Sequence, residues 1–205
     1  MSEGLLRRTK EEAIQTKESL LDAALAVFLA KGYSAATLQD IAEYADLTRG
    51  AVYWHFNGKD DIYRELYERA HRMDTAIFDQ IESLGSGPFE KLRELMHSLI
   101  RNIYLDKRYS DYIELTTFRI EYAEFESINA EKSSTNSFAA AVMESLAQEA
   151  IEAGAISSRV PPEQIAKTLL LYVVGVCRLK FTARELFGEP EDVISIIDDY
   201  LDSLA

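Results

Sequence analysis

Between Leu47 and Lys59 the chain reads L-T-R-G-A-V-Y-W-H-F-N-G-K, and this short run is rich in groups that can meet a polyanion. Arg49 can donate two parallel hydrogen bonds to guanine or to phosphate. Tyr53 can give its hydroxyl to a phosphate while its ring touches a thymine methyl, and Gly50 lets a backbone or a base edge come close. Thr48, and Thr37 upstream of it, precede helical patterns, where a hydroxyl and free backbone N–H groups share the positive end of a helix dipole. Lys59 adds a point charge. A second constellation has metal-ligand spacing: Glu68 and His71, and Glu94 and His97, both read E-x-x-H. Two such pairs, with two further inward glutamates, are what a di-iron carboxylate bundle requires.

The elements that must position these groups are helical. Leu21, Ala24, Leu25 and Phe28 fall at i, i+3, i+4 and i+7, with Gly32 as a stop. Leu38, Ile41, Ala42 and Ala45 repeat that spacing behind a Thr37 cap, with Asp40 three residues on. A third short helix is expected after Thr48, to about Phe56, and a long one from about Lys59 to Ile81. After G-S-G-P a fifth helix spans roughly 89–107, and 110–154 holds one or two more, with the polar S-S-T-N at 133–136 giving the weakest helical signal. Pro162 and Pro190 suit first turns of helices reaching to about Phe187 and Leu204. The reading is all-α, about nine helices, no strand, with a boundary near Lys59 dividing residues 1–58 from 59–205.

The two short helices joined by D-L-T have helix-turn-helix proportions. At about 100° per residue, Val52 and Phe56 fall within about 40° of each other and can pack on Leu38, Ile41 and Ala42. Gly50, Tyr53 and Trp54, with Arg49 at their edge, then form a separate surface.

Composition narrows the partners. With 22 Lys plus Arg against 35 Asp plus Glu, the formal charge is -13, so an anionic partner must be met locally. Residues 1–60 carry seven basic and nine acidic side chains, which leaves most of the negative charge beyond them. Arg7, Arg8 and Lys10 form a small basic arm ahead of the first helix, opposed only by Glu3. The single cysteine, Cys177, has no internal partner, no apolar run reaches the ~18 residues of a membrane span, and the N-terminus lacks a signal-peptide core. A cytoplasmic protein without membrane contact is expected. No metalloprotease motif, paired-cysteine spacing or glycine-rich phosphate loop points to an enzyme.

The stretch A-A-L-A-V-F-L-A-K-G-Y-S-A-A-T-L-Q-D-I-A-E-Y-A-D-L-T-R-G-A-V-Y-W-H-F-N-G-K-D-D-I-Y closely resembles the DNA-binding signature of TetR-family transcriptional repressors, on the branch of AcrR-like multidrug-efflux repressors. The match covers about residues 10–65. The resemblance implies that Thr37, Thr48, Arg49, Gly50, Tyr53, Trp54, His55 and Lys59 contact double-stranded operator DNA, with Gln39 a weaker addition. Asp46 departs from the pattern, which has glycine at the turn. Asp tolerates the left-handed conformation at some strain.

By the same resemblance, the chain acts as a homodimer through its last two helices. Stripes Ile165, Leu169, Tyr172, Val176, Leu179 and Val193, Ile196, Ile197, Tyr200, Leu201, Leu204 are patterned for a four-helix interface. Helices four to eight enclose a pocket for a small-molecule effector, bulky and hydrophobic or cationic. Met96, Ile100, Ile103, Tyr104, Phe118, Tyr122, Phe138 and Met143 are its candidate lining, with Glu114 and Glu121 as acidic neighbours. No cofactor and no metal are implied. The alternatives are a helical di-iron carboxylate protein or a small-ligand-binding protein without DNA function. Against the first, the E-x-x-H motifs lie on consecutive helices. Against the second, pocket formation does not call for the residues between Arg49 and Lys59.

Overall fold

A computed structural model of the chain describes the backbone of residues 2–118 and 126–205, and the side chains of residues 10–116, 136–183, 185, 186 and 188–205. Helices α1 (Ser2–Lys31), α2 (Leu38–Tyr44), α3 (Arg49–His55) and α4 (Lys59–Glu82) are followed by α5 (Pro88–Leu105), α6 (Lys107–Phe118) and α7 (Glu126–Glu152). Then come α8 (Pro162–Thr182), the single turn α9 (Arg184–Phe187) and α10 (Pro190–Asp202). The described residues contain no strand, and none of their helices is long and apolar enough to cross a membrane.

Local signals account for the short helices. Thr37 Oγ1 accepts the Asp40 N–H at 3.1 Å while the Asp40 carboxylate accepts the Thr37 N–H at 2.9 Å, a reciprocal cap on α2. The hydrogen bond from Lys31, and then those from Thr37, lower the Asp40 carboxyl to about 2. Thr48 Oγ1 accepts the Ala51 N–H at 3.2 Å and caps α3. Asn57 donates its backbone N–H and its side-chain amide to Asp61, which ties the entry to α4. Asp46 takes φ 54° at the turn, as its left-handed tolerance allows.

Two apolar cores result. The first joins Leu21, Phe28, Ile41, Val52 and Phe56 to Ile62, Tyr63, Leu66, Tyr67 and Ala70 from α4, and to Tyr112 and Leu115 from α6. It therefore extends past residue 58. The second contains Phe78 and Ile81 from the far end of α4, together with α5, α7, α8 and α10. Met73 packs against both. One uninterrupted helix, α4, thus runs through both cores. Helix α6 contributes Tyr109 to the second core and Tyr112 and Leu115 to the first.

The structure differs from the sequence reading in several places. Arg7, Arg8 and Lys10 lie within α1 rather than in an arm ahead of it. Between Ser2 and Lys31 there is no proline and only Gly4 to oppose the helix. Helix α7 continues across 133–136. The helix that begins at Pro162 stops at Thr182, where Ala183 takes φ -153° and ψ 42°; nothing in the sequence marks that break.

Most of the two apolar stripes near the C-terminus is occupied within the chain. Ile165, Leu169, Val176, Val193, Ile197, Leu201 and Leu204 are buried in the second core, and the Tyr172 hydroxyl donates to the Val193 carbonyl at 2.5 Å. The apolar side chains left to solvent on these helices are Leu171, Val174 and Ile196. A helical stripe shows which face is covered but not whether a second chain covers it.

The E-x-x-H pairs are engaged separately. His97 Nε2 lies 2.8 Å from Asp198 Oδ1, and Arg93 reaches Asp198 at 2.7 Å and Asp202 at 2.5 Å, so the cluster straps α5 to α10. Burial alone would raise the Asp198 carboxyl, but the hydrogen bonds from His97 and Arg93 hold it below the usual carboxylate range. Glu94 is exposed, and Glu68 pairs with Arg72 on its own helix. Among the described residues no three His, Cys, Asp or Glu side chains converge as a metal site. Burial pushes the Cys177 thiol up to about 12, which leaves it unreactive.

Candidate nucleic-acid interface

Helix α3 has two faces, and the core decides which is which. Val52 is fully buried and Phe56 nearly so, so their side of the helix is fixed against α1, α2 and α4. The rings that follow at 100° intervals must turn outward. Tyr53 is 51% exposed and Trp54 79% exposed. A lone Trp of that exposure on a capped, well-packed helix has no folding role there.

The outward side chains are partly pre-organised. Arg49 Nη2 donates to Tyr53 Oη at 3.0 Å, and its guanidinium carbon sits 5.4 Å from the Tyr53 ring centroid. That holds a cation and a hydroxyl together on one surface, with less side-chain entropy left to lose when a phosphate or guanine arrives. Thr37, Gln39, Arg49 and Lys59 line a single open groove of about 580 Å³ together with Ser34 and Asp60. Four of the sequence-predicted residues, Thr37, Gln39, Arg49 and Lys59, are therefore brought to one side of the molecule.

Three of the sequence-predicted residues sit differently from the others. Lys59 is half-buried: its ammonium donates to the carbonyls of Tyr33 at 2.8 Å and Ser34 at 3.1 Å and lies 4.7 Å from the Tyr33 ring centroid. It is thus as much a clamp between α4 and the α1–α2 turn as a free charge. Gln39 is exposed and donates to Glu43 at 2.8 Å. His55 is half-buried beside Phe56, and burial, then the nearby Lys17 charge, lower its pKa from 6.5. Both effects favour the neutral imidazole, which hydrogen-bonds without carrying a charge.

Two contributors escaped sequence reasoning. Tyr33 donates its hydroxyl to Asp60 at 2.5 Å and so anchors the first turn of α4 from the α1–α2 turn. Lys17 reaches from α1 over the Phe56 ring, 5.5 Å from its centroid, and pairs with Glu65. Neither has a local signature, because each partner is more than twenty residues away along the chain.

On the effector side, Met96, Ile100, Ile103 and Met143 are gathered in the second core, with Tyr104 at its margin. Phe138 is 43% exposed. Tyr122 and the side chain of Phe118 lie outside the described residues.

Known proteins resemble this chain in sequence and in fold. Residues 20–66 match the family described as "Bacterial regulatory proteins, tetR family". The chain is 29% identical over 203 residues to the HTH-type transcriptional regulator TtgR of Pseudomonas putida, spanning 98% of this chain and 96% of that one. Among solved structures it resembles NalD, the secondary repressor of the MexAB-OprM multidrug efflux pump in Pseudomonas aeruginosa, with a TM-score of 0.81 over 95% of this chain and 98% of that one. At 22% identity that likeness is one of fold. The SmeT-triclosan complex, SmeT being the repressor of the Stenotrophomonas maltophilia pump SmeDEF, matches with a TM-score of 0.81 at 26% identity, over 92% and 91% of the two chains.

Proposed function

We propose that this chain, whose residues 20–66 match the tetR family of bacterial regulatory proteins, represses an efflux or stress operon as a homodimer released by a small effector. The observation that carries the DNA-binding half is the division of α3, with Val52 and Phe56 locked inward and Arg49, Gly50, Tyr53 and Trp54 outward. In this reading residues 1–58 carry the reading head, residues 59–205 carry effector binding and dimerisation, and the protein works in the cytoplasm. A palindromic operator is read by two α3 helices about 34–36 Å apart.

The effector is bulky and hydrophobic or cationic and binds between α4 and α8. The triclosan complex of SmeT supports a small aromatic ligand in a relative of this fold. Because α4 is shared by both cores, a tilt that accommodates the effector moves Lys59 and, through the Tyr33 and Ser34 carbonyls, the α1–α2 turn. A shift of a few ångströms in head spacing is enough to lose one half-site. Operator affinity unchanged by every effector tested would remove this release step.

Gly50 provides a direct test of the reading surface. A methyl group added there meets nothing closer than Thr48 Oγ1 at 3.7 Å, so packing inside the chain does not require glycine. Gly50→Ala is expected to stabilise α3 by up to about 1 kcal/mol while weakening operator binding about tenfold or more, because the extra methyl stands where DNA approaches. Thermal unfolding and fluorescence anisotropy on operator DNA give the two readouts. Unchanged operator affinity would place the DNA elsewhere.

A further inference from the structure

One polar cluster, on α4 at its contact with α6, borders the second core through Tyr109. Asp74, on the middle of α4, is half-buried, and Tyr109 from α6 donates its hydroxyl to Asp74 Oδ1 at 2.6 Å. Among the described residues no lysine or arginine pairs with this carboxyl. Burial raises its pKa, opposed only by the Tyr109 hydrogen bond and the charge of His71. His71, one turn earlier on α4, has a buried Nδ1 without a hydrogen-bond partner among the described residues. Phe138 from α7 stands edge-on to the rings of His71, at 6.4 Å and 80°, and Phe78, at 5.4 Å and 84°. Phe138 itself is 43% exposed, so the aromatic wall beside the cluster opens to solvent.

A half-buried carboxylate met only by a tyrosine hydroxyl, beside a buried imidazole nitrogen with no partner, destabilises a protein unless something else meets them. Stability would favour apolar residues at both positions. Their placement beside an aromatic, partly open wall is what a site for an aromatic ligand with an N–H donor requires.

Resting on the effector reading above, we infer that Asp74 is the polar anchor of the effector site, and that a cationic or N–H-donating aromatic effector displaces the Tyr109 hydroxyl from it. His71 Nδ1 supplies a second polar contact, and Phe78 and Phe138 flank the rings. The displacement has a mechanical consequence. Tyr109 sits one turn ahead of Tyr112, which with Leu115 is packed in the reading-head core. Releasing Tyr109 frees α6 from α4 and loosens the tie between the two cores, so ligand chemistry at Asp74 becomes a change at the head.

The test uses 9-aminoacridine and acridine, which share one ring system; at neutral pH only the first carries an amino donor and a positive charge. Calorimetric titration of the full-length protein should show 9-aminoacridine binding at least about tenfold more tightly, the scale of one charge-assisted hydrogen bond. Asp74→Asn should shrink that preference to within about threefold, leave acridine affinity unchanged and retain the fold. Tyr109→Phe, which removes the competitor but keeps the carboxylate, should bind 9-aminoacridine more tightly and respond less to it in operator release. A preference that survives Asp74→Asn, or equal binding of both dyes to the unaltered protein, overturns the assignment of Asp74 alone. Failure of both dyes to bind overturns the effector-site reading beneath it.

Discussion

Tyr53→Ala is expected to lower affinity for the cognate operator at least about thirtyfold while helical content, thermal stability and dimerisation stay as they are. The loss has two sources. The Tyr53 ring and hydroxyl go directly, and Arg49 loses the hydroxyl and ring that hold its guanidinium in place. A good base contact contributes about 1–3 kcal/mol of discrimination, and a two-headed reader loses it twice, about 2–6 kcal/mol or roughly thirtyfold to ten-thousandfold. Binding to bulk DNA should change little, because Lys59 and the helix N-termini are untouched. The fold is spared because Tyr53 is 51% exposed and neither core contains it. Circular dichroism and anisotropy against operator and random duplexes make the comparison. Collapse of the fold in this variant would mean that Tyr53 faces inward.

The second large effect is expected at the opposite end of the chain. Leu171, 73% exposed on α8, shares a face with Val174, and Ile196, 49% exposed, lies on the adjoining α10. These are the apolar groups that the protomer's own core leaves uncovered on the last long helices. Leu171→Glu, alone or with Ile196→Glu, should give a folded monomer, since burying a carboxylate against its own symmetry mate is strongly unfavourable. Operator affinity should fall by about two to four orders of magnitude, because the second half-site loses the high effective concentration that linkage provides. Sedimentation with and without operator DNA separates the two steps. A variant that remains dimeric places the interface on another surface.

The reading head was legible in the sequence because its determinants are local. Thr37 and Asp40, Thr48 and Ala51, and the spacing of Val52 and Phe56 act within one helical turn, and the structure realises each of them. The tolerance of Asp46 for a left-handed turn belongs to the same class. What the sequence did not disclose are partnerships between distant segments. His97 reads as a mate for Glu94 three residues before it, yet its imidazole meets Asp198 across two helices. Helical spacing on α8 and α10 correctly marked apolar faces, but the same spacing serves a core and an interface. The exposed Leu171 lies outside both stripes. Asp74 went unnoticed because a single acidic residue in a helix of mixed charge carries no signal until Tyr109 and His71 are placed around it. His55, expected to face outward with its neighbours, is half-buried with its ring against that of Phe56.

The central claim is that α3 reads a two-fold symmetric DNA sequence. Its most direct test is selection of bound duplexes from a random pool by the full-length protein, followed by sequencing of the recovered DNA. The predicted result is an enriched inverted repeat whose half-sites are centred about one helical turn apart, absent when the same selection is run with Tyr53→Ala. Recovered DNA no different from the starting pool would contradict it.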